Sequence, residues 1–249
     1  MKIFIINLER ESAKKEHIKK ECEKLNLDFE IYNAVDGNVL SEEFIQNAVY
    51  DYPNNFLTKG EIGCALSHIN VYKKIIQNNL PYALVLEDDA VLDEKLPDFL
   101  NSFKNKNDKK GIFLLTADFH YLVNKKFNLD SFDIFEVTRA IRATGYIITN
   151  EAAKKLIKFL YPIRYEADMF RIIKLCTGVK LYATLPCLIT TNDKNRSNSS
   201  IHTDRAQFIK QRSDYRKKLF KKDKKKRMIV LWFRKHFINR FEKTKYYID

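Results

Sequence analysis

The sequence predicts an α/β sandwich with a mostly parallel sheet and a basic helical C-terminal tail. Three observations predict it. Strand-like apolar runs alternate with helical segments through about residue 190, the pattern that stacks helices on a sheet. The 6 glycines and 5 prolines are too few for a turn-rich all-β fold. Hydrophobic residues make up 45% of 249, enough for a substantial core and too many for a disordered chain.

The elements follow in order. IFIINL at 3–8 is a buried strand, and 9–24 a helix with Ile18, Cys22 and Leu25 on one stripe. FEIYNAV at 29–35 alternates as a second strand ending in the turn Asp36-Gly37. Ser41 caps a short helix through Val49. Thr58-Lys59-Gly60-Glu61 is a capping box, and Ile62, Leu66, Ile69, Tyr72 and Ile76 continue it at helical spacing toward Pro81. Strands follow at 82–87, 112–117 and 144–149. Asn150 caps a helix that Pro162 stops. A further helix near 166–176 ends before Gly178, and VKLYATLP is a late strand.

YALVLEDDAVL, residues 82–92, drives a strand straight into three acids. A solvated acidic turn accounts for that composition. A divalent cation accounts for the position as well, because ligands of open α/β sheets bind beyond the carboxyl ends of the strands. Asn7, Asp36 and Glu87-Asp88-Asp89 all fall there. Mg²⁺ and Mn²⁺ take carboxylate oxygens and keep sites for phosphates.

The net charge of +13 is local. Residues 205–249 hold 17 Lys and Arg against 4 Asp and Glu, whereas residues 1–204 balance to zero. The expected division is a catalytic domain over 1–204 and a basic amphipathic helical tail over 205–249. The tail mixes its cations with Ile229, Trp232, Phe233, Phe237 and Phe241 near helical spacing, as interfacial helices do. It is therefore expected on an anionic membrane surface. Nucleic-acid binding is the competing class; large aliphatic residues and a neutral main body speak against it. No run approaches the roughly 20 apolar residues of a spanning helix, and the opening MKIFIINLER lacks a leader's cleavage site. Four cysteines without paired spacing read as reduced cytoplasmic thiols.

In order and spacing, IFIINLER, AVDG, LTKGEIGCALSHINVYKKII and YALVLEDDAVL resemble the successive signatures of glycosyltransferase family 25. That family includes lipooligosaccharide galactosyltransferases of Gram-negative bacteria and collagen galactosyltransferases. The resemblance runs from residue 3 to about 92, then more loosely through TGYIIT and YEADMF to RSNSSI near 201. It implies a GT-A-like nucleotide-sugar-binding fold, an inverting mechanism, a UDP-galactose-like donor and Mn²⁺, with Mg²⁺ as the alternative. The acceptor it implies is a lipid-linked saccharide of lipooligosaccharide biosynthesis at the inner face of the inner membrane. A different nucleotide-sugar or nucleotidyl transferase is the runner-up among enzymes.

Carried over by residue, the resemblance makes Glu87-Asp88-Asp89 the acidic motif, with Asp89 the direct metal ligand, Glu87 beside it and Asp88 on the donor side. Asn7, Arg10 and Asp36 fall where strand ends meet the nucleoside. Asp168 in YEADMF, at the start of a helix, is the expected base, and Glu166 the alternative. His68 in GCALSH is expected to line the site; adjacent helical residues point about 100° apart, so Ser67-His68 is no nucleophile–base pair. In the polar segment after Thr191, Arg196 and Ser199 are expected toward phosphate and His202 toward the metal. ATGYIIT and Lys14-Lys15 depart from the family pattern, which weakens the carry-over there.

Overall fold

The computed structural model describes residues 1–192, 208–233, 236 and 242–248. The strands are β1 (Lys2–Asn7), β2 (Glu30–Asn33), β3 (Tyr82–Glu87), β4 (Ala90–Leu92), β5 (Ile112–Leu114), β6 (Phe119–Leu129), β7 (Phe132–Ala140), β8 (Gly145–Thr149), β9 (Leu181–Leu185), β10 (Ile189–Thr191) and β11 (Thr244–Tyr247). The helices are α1 (Ser12–Lys24), α2 (Glu42–Ala48), α3 (Lys59–Gln77), α4 (Leu96–Lys106), α5 (Asn150–Leu160), α6 (Phe170–Thr177), α7 (Ile209–Asp223) and α8 (Met228–Phe233).

Nine strands form one mixed sheet in the order β11-β6-β7-β9-β5-β8-β3-β1-β2, while β4 and β10 pair separately. Among the described residues six of the nine run one way, and β7, β8 and β11 oppose them. Alternate side chains feed two cores. Phe4, Ile6, Ala83 and Val85 join α2, α3, α5 and α6 on one face, and Ile3, Ile5, Leu84 and Leu86 join α1 and α4 on the other. The α/β/α sandwich expected from the alternation of elements is the one observed.

The capping box at Thr58 and Glu61 is formed in both directions. Two glycines bring the turn after β2 against α3: a Cβ on Gly63 would lie 2.4 Å from the Val35 carbonyl oxygen, and one on Gly37 would collide with that of Lys59. The Ser67 hydroxyl locks this contact, accepting from Val35 N at 2.8 Å and donating to the Gly63 carbonyl at 2.7 Å. The motifs AVDG and KGEIGC are thus two halves of one backbone joint.

Some expectations shift. Thr149, not Asn150, caps α5; Asn150 instead donates to the carbonyls of Ile75 and Leu80 at the end of α3. The helix expected near 166–176 begins at Phe170, because residues 166–169 form a turn, so Asp168 and Glu166 precede it. The stretch Thr244–Tyr247 is a strand on β6 rather than helix, since the edge of β6 offers it a ladder of hydrogen bonds. Phe237 and Phe241 lie outside the described residues. No helix among the described residues is long and apolar enough to cross a membrane.

Candidate active site

Parallel pairing of β1 with β2 and β3 puts their carboxyl ends at one edge, where Asn7, the turn at Asp36 and the acids after Leu86 meet. Asn7 is buried, and its amide nitrogen donates to Asp88 Oδ2 at 2.8 Å and to the Glu11 carbonyl at 3.2 Å. Arg10 and Asp36 are ion-paired beside it, and Asp36 also accepts from Asn38 N at 3.0 Å, capping the turn.

The three acids diverge in environment. Glu87 ends β3 and meets His68 Nε2 at 3.3 Å. Asp88 is pushed up by burial, against the pull of the Asn7 amide. Asp89 accepts from the Thr191 hydroxyl at 2.6 Å through Oδ2, while its Oδ1 is buried with no hydrogen-bond partner among the described residues. Burial first, and the Glu87 charge second, raise the Asp89 carboxyl to about 6. An orphaned carboxylate oxygen crowded by two further acids fits a hard divalent cation. Cys64, His68 and Glu87 also lie with their ligand atoms within 4.8 Å, a softer set that shares Glu87.

His68 is buried in a chain of polar groups. Its Nε2 lies 3.3 Å from Glu87 Oε1, its Nδ1 shares a hydrogen bond with the Tyr146 hydroxyl at 2.7 Å, and Tyr146 shares a second with the Tyr72 hydroxyl at 2.7 Å. Burial pushes both phenols well up, so they stay neutral donors. This chain ties α3 to β8 and fixes the Glu87 carboxylate. In the sequence Tyr72 reads only as part of the apolar stripe of α3 and Tyr146 only as part of a strand; their hydroxyls meet through the packing of α3 on β8.

Asp168 sits half-buried in the turn before α6, and no hydrogen bond or ion pair holds its carboxylate among the described residues. Phe170, two residues on, packs against Tyr146 with ring centroids 6.1 Å apart. Glu166 is 6% exposed, and its Oε1 accepts from Arg216 at 2.6 Å. Burial raises its carboxyl, Arg216 opposing. Arg212 donates to Glu61 at 2.5 Å, so α7 is seated on α3 and on the 164–169 turn through two arginines. Arg196, Ser199 and His202 lie outside the described residues.

The family model described as glycosyltransferase family 25 (LPS biosynthesis protein) matches residues 1–171. A putative glycosyltransferase of Haemophilus influenzae is 29% identical over 160 residues, 63% of this chain and 57% of that protein. The lipooligosaccharide biosynthesis protein lex-1 of the same species is 27% identical over 191 residues, 63% of each chain. Procollagen galactosyltransferase 1-B of Xenopus laevis is 28% identical over 177 residues, 62% of this chain and 28% of that protein. The chain thus spans less than two thirds of the length of each. The inositol-1-phosphate CTP transferase of T. maritima superposes with a TM-score of 0.42 at 11% identity, covering 84% of this chain and 96% of that one; so low a score carries no argument.

Proposed function

This chain belongs to glycosyltransferase family 25, and on that premise we propose that it transfers a hexose, galactose in our reading, from a UDP-sugar to a saccharide acceptor of lipooligosaccharide biosynthesis, with inversion at the anomeric carbon. The observation that carries the reading is the acidic triplet at the end of β3: Asp89 keeps a buried oxygen without a partner among the described residues, Asp88 is held by Asn7, and Arg10 and Asp36 pair beyond the ends of the neighbouring strands. Asp89 and Glu87 would hold Mn²⁺ or Mg²⁺, whose charge supports the departing diphosphate.

The chain's own residues divide the remaining work. Asn7 orients Asp88, and the chain through His68 and Tyr146 orients Glu87. Arg10 and Asp36 flank the nucleoside. Asp168 takes the proton from the acceptor hydroxyl as that oxygen attacks the anomeric carbon. Its carboxylate, unpaired among the described residues, suits that task; Glu166, buried beneath α7, is instead a seat for Arg216. Arg196 and Ser199 would meet the donor phosphates, and His202 the metal.

UDP-hexoses incubated without acceptor test the reading. Slow hydrolysis of UDP-galactose is expected with Mn²⁺ and little with chelator. Mn²⁺ binds the ionised Asp89, so protons compete as pH falls through about 6. The Mn²⁺-induced rise in Tm should therefore shrink between pH 7.5 and 5.5. If no UDP-hexose is bound or cleaved at pH 7.5 with Mn²⁺, the reading fails.

The reading extends to a lipid-linked acceptor at an anionic membrane. Met228, Ile229, Val230, Trp232 and Phe233 of α8 are all exposed, beside Lys224 and Lys225. Each cation near an anionic leaflet contributes about 1 kcal/mol. Sedimentation with liposomes of phosphatidylglycerol is expected, weakened by salt and by Ile229→Asp with Trp232→Asp. Equal sedimentation of parent and double variant would remove α8 from the contact. Point changes are the right probe, because truncating the segment would also remove β11 from the sheet.

A further inference from the structure

We propose that the C-terminal strand completes a subsite for a single hexopyranose next to Asp89, with Arg142 and Asp118 as its polar contacts. The identity of the sugar rests on the glycosyltransferase reading; the site itself rests on geometry. A pocket of about 190 Å³ opens between the loop after β5, the loop before β8, strand β10 and Ile248. That is space for about six waters, the scale of one sugar ring rather than an oligosaccharide. Thr191 belongs to its wall and donates to Asp89, so the pocket lies one hydrogen bond from the acidic motif.

The groups inside suit a polyol. Arg142 Nε is buried 2.7 Å from Asp118 Oδ2 but not aligned to donate to it, and no hydrogen bond from the guanidinium to another described residue is formed. A forked donor beside a carboxylate acceptor matches vicinal hydroxyls, each of which donates and accepts. Ile189 and Ile248 offer apolar surface for a ring's C–H face.

The backbone supports the same conclusion. Asp118 and Arg142 are both left-handed, at φ +67° and +73°; aspartate enters that region readily, whereas arginine seldom does. What holds Asp118 is β11: its N–H donates to the Tyr247 carbonyl at 3.1 Å, and the Tyr246 hydroxyl donates to its Oδ1 at 3.2 Å. A segment that reads as tail in the sequence is therefore the brace of this pocket.

Titration calorimetry of the full chain with Mn²⁺, using UDP and UDP-galactose as separate probes, tests the proposal. Arg142→Ala is expected to weaken UDP-galactose about tenfold or more while leaving UDP unchanged, if the sugar is the donor's. If it is the acceptor's, both nucleotides bind as before and the KM for a lactose acceptor rises about tenfold. Ile248→Trp, at a position 65% exposed, should act in the same direction by narrowing the pocket. Should the parent bind neither UDP nor UDP-galactose, the functional reading fails separately, and saturation-transfer NMR with free galactose on parent and Arg142→Ala decides the subsite. Unchanged sugar-dependent binding and unchanged acceptor KM in both variants, or no difference in the NMR signal, overturns it.

Discussion

Asp89→Asn is expected to lower Mn²⁺-dependent transfer about a thousandfold while raising the thermal stability of the metal-free protein at pH 7.5. Both halves come from one cause. The carboxyl is raised to about 6 because burial and the Glu87 charge disfavour its ionised form. A raised acid costs the folded state stability at pH values above its folded pKa, and the cost disappears below the unfolded value near 4. Asparagine keeps an oxygen to accept from Thr191 and removes the charge, so that cost is relieved. It also removes the charged oxygen a cation needs, which is worth several kcal/mol in a transition state with a departing diphosphate. Calorimetric melting with and without Mn²⁺, beside initial rates at saturating donor, checks both. A variant that transfers as fast as the parent would remove Asp89 from the metal site. A variant that melts lower without metal would mean the orphaned oxygen is not under strain.

Asp168→Asn is expected to depress turnover by about two to four orders of magnitude, the range for losing a general base, with UDP affinity unchanged. The expectation separates two acids that the sequence places two residues apart. Asp168 stands in the turn before α6 with no partner among the described residues, whereas Glu166 is committed to Arg216 and packed beneath α7. Glu166→Gln should loosen the seating of α7, seen as faster proteolysis after Lys210, with less effect on turnover than the change at Asp168. Loss of UDP binding together with activity in Asp168→Asn would move that residue to the donor side.

The legible parts of this chain share a property: every residue that decides them is close in sequence. The capping box spans Thr58 to Glu61, and the β3 run and its acids are contiguous. Gly178, left-handed at φ +75°, ends α6 just where its spacing predicts. The hairpin of β6 and β7 is equally local, turning at Asp130 with φ +53°, and α4 carries Leu96, Phe99, Leu100 and Phe103 at helical spacing.

By itself the sequence determined the sandwich, the strand-end acids and the family, because strand and helix periodicity, caps and short motifs act over one or two turns of chain. Tertiary structure alone decided which polar groups meet: Thr191 with Asp89, Arg212 with Glu61, and Tyr246 with Asp118, separated by 102, 151 and 128 residues. A lysine- and arginine-rich segment looks uniformly solvated until the fold supplies buried carboxylates for particular members of it. An ion pair's value lies in shared burial, and burial belongs to the packed molecule rather than to either residue.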